Sequence, residues 1–434
     1  MTRQWRALQG YRRLGSRSSA EIARYQFACL HDLLRHAYDR VPYYRRRFDA
    51  AGVRPSDIRS VADLALLPAT SRDDIQFLAP HDICAAGVRL NTLRAVTTSG
   101  STGAPLTVWR TRAEEQLLLA LRARAFEEFG FGLRCRRAVI DHLDPATLRG
   151  GGRRELHERL GLLPRVLIDW RLPKAEIVDT LERFRPQVIS GPPGILSSLA
   201  DDLTAEDRRR LNVPLVTTGA EMMTAPTRRR IEQGFGAPVA DRFGSHEVVF
   251  IAMQPPGNDE YRVCGESVFV EVVQEDGRPA QPGASGELIV TALHSFAMPF
   301  IRYRLGDRVV LGRASDPYQS LRSIEGRIVD RFRLPSGQLV HGYTLGEVVE
   351  ASGLEVRRFQ ITQEQRGAFR VRLLLRSGER SFDQLEAALR ERLEPGVGVS
   401  IEVVDALDHD GARKFYPFVS VERLEAWRAA QSQG

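Results

Sequence analysis

The stretch VPLVTTGAEMMTAPTRRRIEQGFGAPVADRFGSHEVVF, residues 213–250, decides the fold. It opens on a short apolar run, VPLVTTG, passes through a helical segment, APTRRRIEQGF, and returns to a strand ahead of DRFGSHEVVF. Short apolar runs bounded by turn residues read as buried strands. The same unit recurs upstream, where RRAVID (136–141) and RPQVISG (185–191) flank the helical AEIVDTLERF (175–184). Strands alternating with helices at this spacing imply βαβ units on a parallel sheet.

On either side the pattern changes. Between 261 and 312 strands and turns follow closely, and SVFVEVVQEDGRPAQPGASGELIVTAL (267–293) carries a hairpin-like Asp276–Gly277 and a second turn around Pro282–Gly286. From 326 onward FQITQ, AFRVRLLLRSG, SFDQLEAALRERL and VSIEVVDAL give strand, strand, helix, strand, a small α+β domain behind a linker at 326–332. Toward the N-terminus SAEIARYQFACLHDLLRHAYDRVPYYRRRFDAAG (19–52) is an amphipathic helix stopped by Pro42 and resumed to Gly52. Helix starts are expected at Ser56 and Ser71, each ahead of acidic residues. NTLRAVTTSGSTGAPLTVWRT (91–111) reads as strand, Gly/Ser loop and strand, followed by a helix over AEEQLLLALRARAFEEFGF.

At 434 residues the chain exceeds one ordinary core, so two domains or a large one with an appendage are expected. No run of 18 apolar residues occurs, and the basic N-terminus lacks the apolar centre of a secretory signal, so no membrane span is expected. Cys29, Cys84, Cys135 and Cys264 are scattered, which suggests neither a disulfide framework nor a zinc cluster and makes a reduced cytoplasm the default. A net charge of +7 suits an anionic partner such as a nucleotide. The arginine triplets at 45–47, 208–210 and 228–230 are dispersed and lack interleaved aromatics, so nucleic acid is not expected as a partner. Of the 62 basic residues only Lys174 and Lys414 are lysines. Lys174 reads as an ordinary surface lysine; Lys414, in DGARKFYPFVS (410–420), asks for a reason.

Four stretches could carry chemistry. In TTSGSTGAPL (97–106) hydroxyls and glycines after a strand can surround phosphate oxygens, although no GK[ST] follows; taken alone, a polar surface turn is the simpler reading. In DRFGSHEVVF (241–250) an aromatic can stack on a purine, a hydroxyl can reach phosphate and a carboxylate can hold Mg²⁺. In MPFIRYRLGDRV (298–309) Asp307, after a glycine at a strand end, can accept from a ribose diol, or is a turn aspartate. In EGRIVDRF (325–332) Arg327 and Asp330 fall on the linker.

In this order the four resemble the adenylate-forming superfamily, and most closely its phenylacetate–CoA ligase branch with the CapK-like members of capsule biosynthesis. The resemblance runs almost end to end. It takes in RHAYDRVPYYRRRFDAAGVRPSDIRSVADLALLPATSRDDI (35–75), FRPQVISGPPGIL (184–196), residues 216–247, AMPFIRYRLGDRV (297–309) and GRIVDRFRLPSGQLVHGYTLGEVVE (326–350). It implies an α/β fold: a large N-terminal adenylate-forming domain (1–326), with mixed sheets, flanking helices and a small β subdomain, hinged to a mobile α+β domain (327–434). It implies an ATP-dependent ligase that turns a carboxylic acid, here aryl or otherwise largely apolar, into an acyl-adenylate with release of pyrophosphate. Transfer to CoA would follow, in a cytoplasmic monomer or homodimer.

Residue by residue, Thr98, Ser99, Gly100, Ser101, Thr102 and Gly103 match the phosphate loop, with Ala104 where relatives often carry lysine. Ala220 and Glu221 match the adenine-contacting turn, Phe243 the aromatic over the adenine, and Gly244 and Ser245 the residues that lead to the α-phosphate. Glu247 matches the Mg²⁺ ligand, Asp307 the ribose aspartate, Arg327 the basic residue after the hinge glycine and Asp330 the hinge. Lys414 matches the lysine that the small domain delivers for adenylation, where arginine's planar fork poorly replaces a compact ammonium. The resemblance points to an acid pocket walled by Pro193, Gly194, Met222, Met223, Val248, Val249 and ALHSFAMP (292–299), with His142 and His246 as further candidates. One departure stands out: where ligases of the branch read close to IIRGVNVFP, this chain reads FRLPSGQLVHGYTLGE (332–347). That change leaves an amine, a carrier-protein thiol or nitrite chemistry open beside CoA, as well as a CapK-like role in polysaccharide biosynthesis.

Overall fold

The computed structural model describes residues 18–97, 106–127, 129–143, 158, 161–313, 319–327, 331–375, 381–407 and 416–431. Strands β1 (Arg94–Thr97) and β2 (Thr107–Arg110) pair antiparallel, with Thr97 opposite Thr107. The apolar runs of the central region become β3 (Arg137–Asp141), β4 (Arg165–Asp169), β5 (Val188–Gly191), β6 (Leu215–Gly219) and β7 (Val239–Phe243). All five are parallel, in the spatial order β4-β3-β5-β6-β7. Their near-continuous apolar character reflects burial on both faces. Beyond β7 the sheet turns antiparallel with β8 (Ala252–Gln254) and β9 (Tyr261–Val263). It continues through β10 (Val268–Val273), β11 (Ser285–Ala292), β12 (Tyr303–Leu311) and β13 (Ser320–Arg327). The full order is β10-β11-β12-β13-β9-β8-β7-β6-β5-β3-β4. The expected hairpin is β10–β11, Val268 opposite Ala292, with Gly277 in the left-handed region at its turn.

The helices over the parallel strands begin and end where the sequence says they should. In Ala225–Phe235 the Thr224 hydroxyl accepts from the Thr227 amide at 3.2 Å, Pro226 sits in the first turn, and Gly236 closes the helix at φ 63°. That helix presents Ile231 and Phe235, Lys174–Phe184 presents Ile177, Val178 and Leu181, and Pro193–Asp202 presents Leu196, Leu199 and Ala200. Together they bury Ala138, Ile140, Ile189, Val216 and Val239 of the strands, and Met223 packs against the same core. A side chain at Gly234 would meet the Ala200 carbonyl oxygen at 2.5 Å, so the bare backbone lets two helices touch.

Lys174 is not an idle surface lysine. Its ammonium pairs with Asp207 at 2.8 Å and donates to the Asp202 carbonyl, also at 2.8 Å, tying three helix ends together. The Lys174 hydrogen bond, with donors from Thr204, lowers the Asp207 carboxyl to about 2. A folded-state value below the unfolded one stabilises above pH ~4, and the gain is lost as pH falls toward 2. Lys174→Met is therefore expected to cost about 1 kcal/mol at pH 7. In thermal melts the gap from wild type should close by pH 2; a gap constant with pH would show that packing, not charge, is what was lost.

The described residues fall into two compact units, 18–97 with 107–305 and 310–323 in the first, and Leu106, Gly306–Val309 and the residues from 324 onward in the second. The second holds β14 (Arg331–Arg333), β15 (Leu339–His341), β16 (Val356–Gln365), β17 (Ala368–Leu375), β18 (Gly398–Val403) and β19 (Phe418–Val419). Helices Gly342–Ala351, Asp383–Glu391 and Val421–Gln431 accompany them. Its sheet runs β18-β17-β16-β19, and Phe332, Leu345, Val349, Ile361, Phe369, Leu385, Leu389 and Phe418 fill its core. A Cβ at Gly346 would meet the Phe418 ring at 2.9 Å, which is why glycine stands there.

Three local expectations are corrected. Ser56 lies inside a single 3₁₀ turn, Pro55–Asp57, because Asp57 turns back to accept from the Arg54 amide; the better cap is Ser60, whose amide donates to Asp63 at 2.7 Å. Asp307 is not at a strand end but inside β12, where Gly306 at φ 81° kinks the strand without ending it. Arg327 is the last residue of β13 rather than part of a linker. Among the described residues no helix is long and apolar enough to cross a membrane, and Cys29, Cys84, Cys135 and Cys264 form no disulfide.

Candidate active site

Parallel strands β3, β5, β6 and β7 end side by side, and each releases a segment singled out in the sequence. His142 follows β3, Pro192–Gly194 follows β5, Ala220–Met223 follows β6, and Gly244–Val248 follows β7. Since β7 pairs parallel with β6 and antiparallel with β8, the last of these lies where the sheet changes direction. Ligands of open α/β sheets bind beyond the carboxyl ends of such strands.

The turn after β7 is tightly determined. The Val249 amide donates to the Ser245 carbonyl at 2.7 Å, the Val248 amide to the Ser245 hydroxyl at 3.2 Å, and the Ile251 amide to the Phe243 carbonyl at 2.9 Å. A side chain at Gly244 would overlap the Val249 carbonyl oxygen. Val249 itself is left-handed at φ 65°, which a β-branched residue adopts only when its surroundings over-determine it, at a cost of about 1–3 kcal/mol. Buried Val248 and Phe250 on either side supply that constraint.

The turn presents Glu247, 8% exposed, whose Oε1 accepts from the Tyr303 hydroxyl at 3.4 Å and lies 3.8 Å from the Arg72 guanidinium. Arg110, at the end of β2, is buried and donates to the carbonyl of His246 and, at 3.2 Å, to that of Glu247. The strand after the Gly/Ser loop thus grips the turn that bears the carboxylate. Arg110→Met should remove about 2 kcal/mol of charged hydrogen bonding. Pyrophosphate exchange is expected to fall about tenfold or more, and a wild-type rate would show that the turn holds itself.

Ala220 is left-handed at φ 70° and turns the chain so that Glu221 accepts from the Gly194 amide at 3.1 Å. This places a carboxylate on the N-terminus of the ten-residue helix Pro193–Asp202, where the dipole favours it. The turn after β6 and the Pro-Gly segment after β5 are thereby one assembly. Beneath them Asp241 accepts from Thr218 at 2.5 Å and from the Tyr261 hydroxyl, linking β6, β7 and β9; burial pushes its carboxyl upward. Phe243 is half-buried and His246 exposed, and exposed His142 donates its amide to Asp141 at 2.7 Å. Pro193 is buried, Gly194 exposed and Met222 half-buried.

Val248, Ala292, His294 and Ser295, with Glu114, Leu118 and Ser267, line a cavity of about 10 Å³, scarcely room for one water. In the second unit Asp307, 7% exposed, lies 3.6 Å from the Arg327 guanidinium. Thr98 to Gly103, Asp330 and Lys414 lie outside the described residues.

Sequence reading missed Arg72, Arg110, Glu114 and Tyr303. For Glu114 one signal exists: Thr111-x-x-Glu114 is a capping box, with Oε2 accepting from the Thr111 amide at 2.6 Å. Nothing local tells that Oε1 takes the Phe296 and Ala297 amides at 2.6 and 2.8 Å.

Among the described residues no group of three or more His, Cys, Asp or Glu could hold a metal unaided. Mg²⁺ is held through one or two carboxylates plus substrate phosphates, and the buried carboxylate of Glu247 is the group here that fits that use.

Comparison with known proteins adds three findings. The AMP-binding enzyme family model matches residues 164–297. The phenylacetate–coenzyme A ligase of Escherichia coli K12 is 28% identical over 388 residues, 86% of this chain and 87% of that protein, and the protein CapK of Staphylococcus aureus is 29% identical over 136 residues, 31% of this chain and 28% of that one. A 2-hydroxyisobutyryl-CoA ligase in the postadenylation state, in complex with 2-HIB-AMP, superposes with a TM-score of 0.76 at 20% identity, over 95% of this chain and 92% of that one.

Proposed function

Because the chain belongs to the adenylate-forming superfamily, in the branch of the phenylacetate–CoA ligases and CapK, and is an AMP-forming ligase, we propose the following reaction. It activates a carboxylic acid with a largely apolar body by ATP and passes the acyl group to the thiol of CoA. The acid's carboxylate attacks the α-phosphorus, the bond to the β-phosphate oxygen breaks, and pyrophosphate leaves in line. Two anions must be pressed together, so catalysis is mostly positioning and charge neutralisation.

The observation that carries this reading is the turn Gly244–Glu247 at the switch point of the sheet, with buried Glu247 held at its carbonyl by Arg110 and at its carboxylate by Tyr303. In our assignment Phe243 stacks on the adenine edge with the Ala220–Glu221 turn, Ser245 reaches the α-phosphate, and Thr98 to Gly103 wrap the outer phosphates through backbone and hydroxyl dipoles. Asp307 accepts from the ribose diol, with Arg327 holding its carboxylate in place. Glu247 would hold Mg²⁺, which supplies neutralisation of the phosphate oxygens. Lys414 donates to the oxygen where charge builds, and Asp330 serves as the hinge about which residues 327–434 move. The likeness to ligases that carry CoA in their names, one over most of both chains, supports the thiol acceptor.

A second reading has its own support. The segment that departs from the ligase pattern folds as the hairpin β14–β15, with Phe332, Leu334 and Val340 buried and Gly337 at φ 91° in its turn. Together with the CapK match this favours a non-CoA acceptor, an amine or a carrier-protein thiol. ATP–pyrophosphate exchange over a panel of acids including nitrite, with and without CoA, tests both. Exchange with at least one acid is expected, and CoA should convert it into net thioester. Exchange without thioester transfers the choice to the second reading, and no exchange with any acid overturns both.

A further inference from the structure

In the loop that joins β11 to β12, Phe296 and Ala297 belong to no strand, yet all four of their polar backbone groups are bonded. Both amides donate to Glu114 Oε1, at 2.6 and 2.8 Å. The Phe296 carbonyl, which can only accept, takes a hydrogen bond from His36 Nε2 at 2.9 Å, and the Ala297 carbonyl takes one from the Ala85 amide at 2.9 Å. Further along, the Tyr44 hydroxyl donates to the Pro299 carbonyl and accepts from the Ile301 amide, each at 3.0 Å. Connecting segments are ordinarily the mobile parts of a fold. Four separate parts of the chain hold this one still.

Glu114 is the unusual member of that set. It is 7% exposed, and among the described residues no cation pairs with it. Its charge is balanced by dipoles alone: Oε2 accepts from the Thr111 amide at 2.6 Å and the Thr111 hydroxyl at 2.8 Å, and Oε1 from the loop. Capping its own helix would need only Oε2. A carboxylate accepts on both sides, whereas glutamine would turn an N–H toward one pair of donors. Its place in the chain matters as well. Arg110, four residues earlier, holds the carbonyls of His246 and Glu247. The cavity between Glu114, Val248, Ala292 and His294 has scarcely room for one water, so the loop packs against the turn that bears Glu247. The loop then runs on to Tyr303, which donates to the Glu247 carboxylate.

We propose that Glu114 is a positioning residue that sets residues 293–299 as a rigid wall of the acid's site. The inference rests on the activation reading above. One short segment, Arg110–Glu114, then fixes both the turn that bears Glu247 and the wall against which the acid lies. The acid's carboxylate is thereby kept in line with the α-phosphorus, an alignment whose loss by about 1 Å costs about 100-fold in rate.

The test compares Glu114→Gln with Thr111→Ala, which removes the cap hydroxyl and leaves the loop's bonds to Glu114 in place. ATP–pyrophosphate exchange is measured over acid and ATP concentrations with phenylacetate, benzoate, butyrate and 2-hydroxyisobutyrate, and amide hydrogen exchange is read at Phe296 and Ala297. Glu114→Gln should raise KM for the acid about 10-fold or more, move KM for ATP less than about threefold, and speed exchange of the two amides. Thr111→Ala should lower the melting temperature, with the acid KM and the two amides close to wild type. Should Glu114→Gln fold poorly, His36→Leu loosens the same loop from its other side and should show the same split, while His36→Gln, which keeps a donor, should stay nearer wild type. An unchanged acid KM, unchanged amide protection, an equal loss for acid and ATP, or an equal rise in Thr111→Ala would overturn the inference and leave acid activation standing. No exchange with any acid of the panel overturns the activation reading, and this inference with it.

Discussion

Replacing Lys414 with alanine is expected to lower acyl-adenylate formation by roughly 100-fold or more, as removal of one preorganised donor does. Thioester formation from a supplied acyl-adenylate should stay near wild type, because that step no longer has an attacking carboxylate and a leaving phosphate to neutralise. The argument rests on economy. A chain with only two lysines among 62 basic residues keeps ammonium where guanidinium will not serve. The structure gives the reason at the other one: Lys174 Nζ fits between the Asp207 carboxylate and the Asp202 carbonyl, 2.8 Å from each, as a point charge between two oxygens. An ammonium between a substrate carboxylate and an α-phosphate faces the same demand, and a planar fork meets it poorly. Lys414→Arg should therefore fail nearly as badly as alanine in pyrophosphate exchange. Wild-type pyrophosphate release from Lys414→Ala would remove the lysine from the reaction.

The parallel sheet was legible because its strands are buried on both faces and its helices carry their own caps, as at Thr224 and Gly236. Both signals are local, and local signals survive in a linear string. Asp307 was misplaced for the complementary reason: a left-handed glycine usually ends a strand, and here pairing with neighbours carries β12 past Gly306. The Phe243–Glu247 turn was found through its residue types and their order. What steadies it was invisible, since Arg110 is 136 and 137 residues away from the carbonyls it holds and Tyr303 is 56 from Glu247. In a chain with arginine almost everywhere, no composition rule separates the buried Arg110 and the half-buried Arg72 from their solvated counterparts.

Glu247→Gln is the second large effect. The amide keeps the side chain's shape and can still accept from the Tyr303 hydroxyl, so the turn should persist; it loses the charge that a divalent cation requires. Exchange is expected to fall about 100-fold at fixed Mg²⁺, and the concentration for half-maximal rate should rise about 10- to 100-fold, as when a metal site loses a supporting group. Arg72 sharpens the prediction. Its guanidinium sits 3.8 Å from Glu247 Oε1 with 20% of its side chain exposed, so it neutralises the carboxylate and gains nothing from glutamine. Should Glu247 serve only as Arg72's structural partner, Glu247→Gln would lower the melting temperature and leave the Mg²⁺ titration where it was. A shifted titration with an intact melting temperature assigns the carboxylate to the metal.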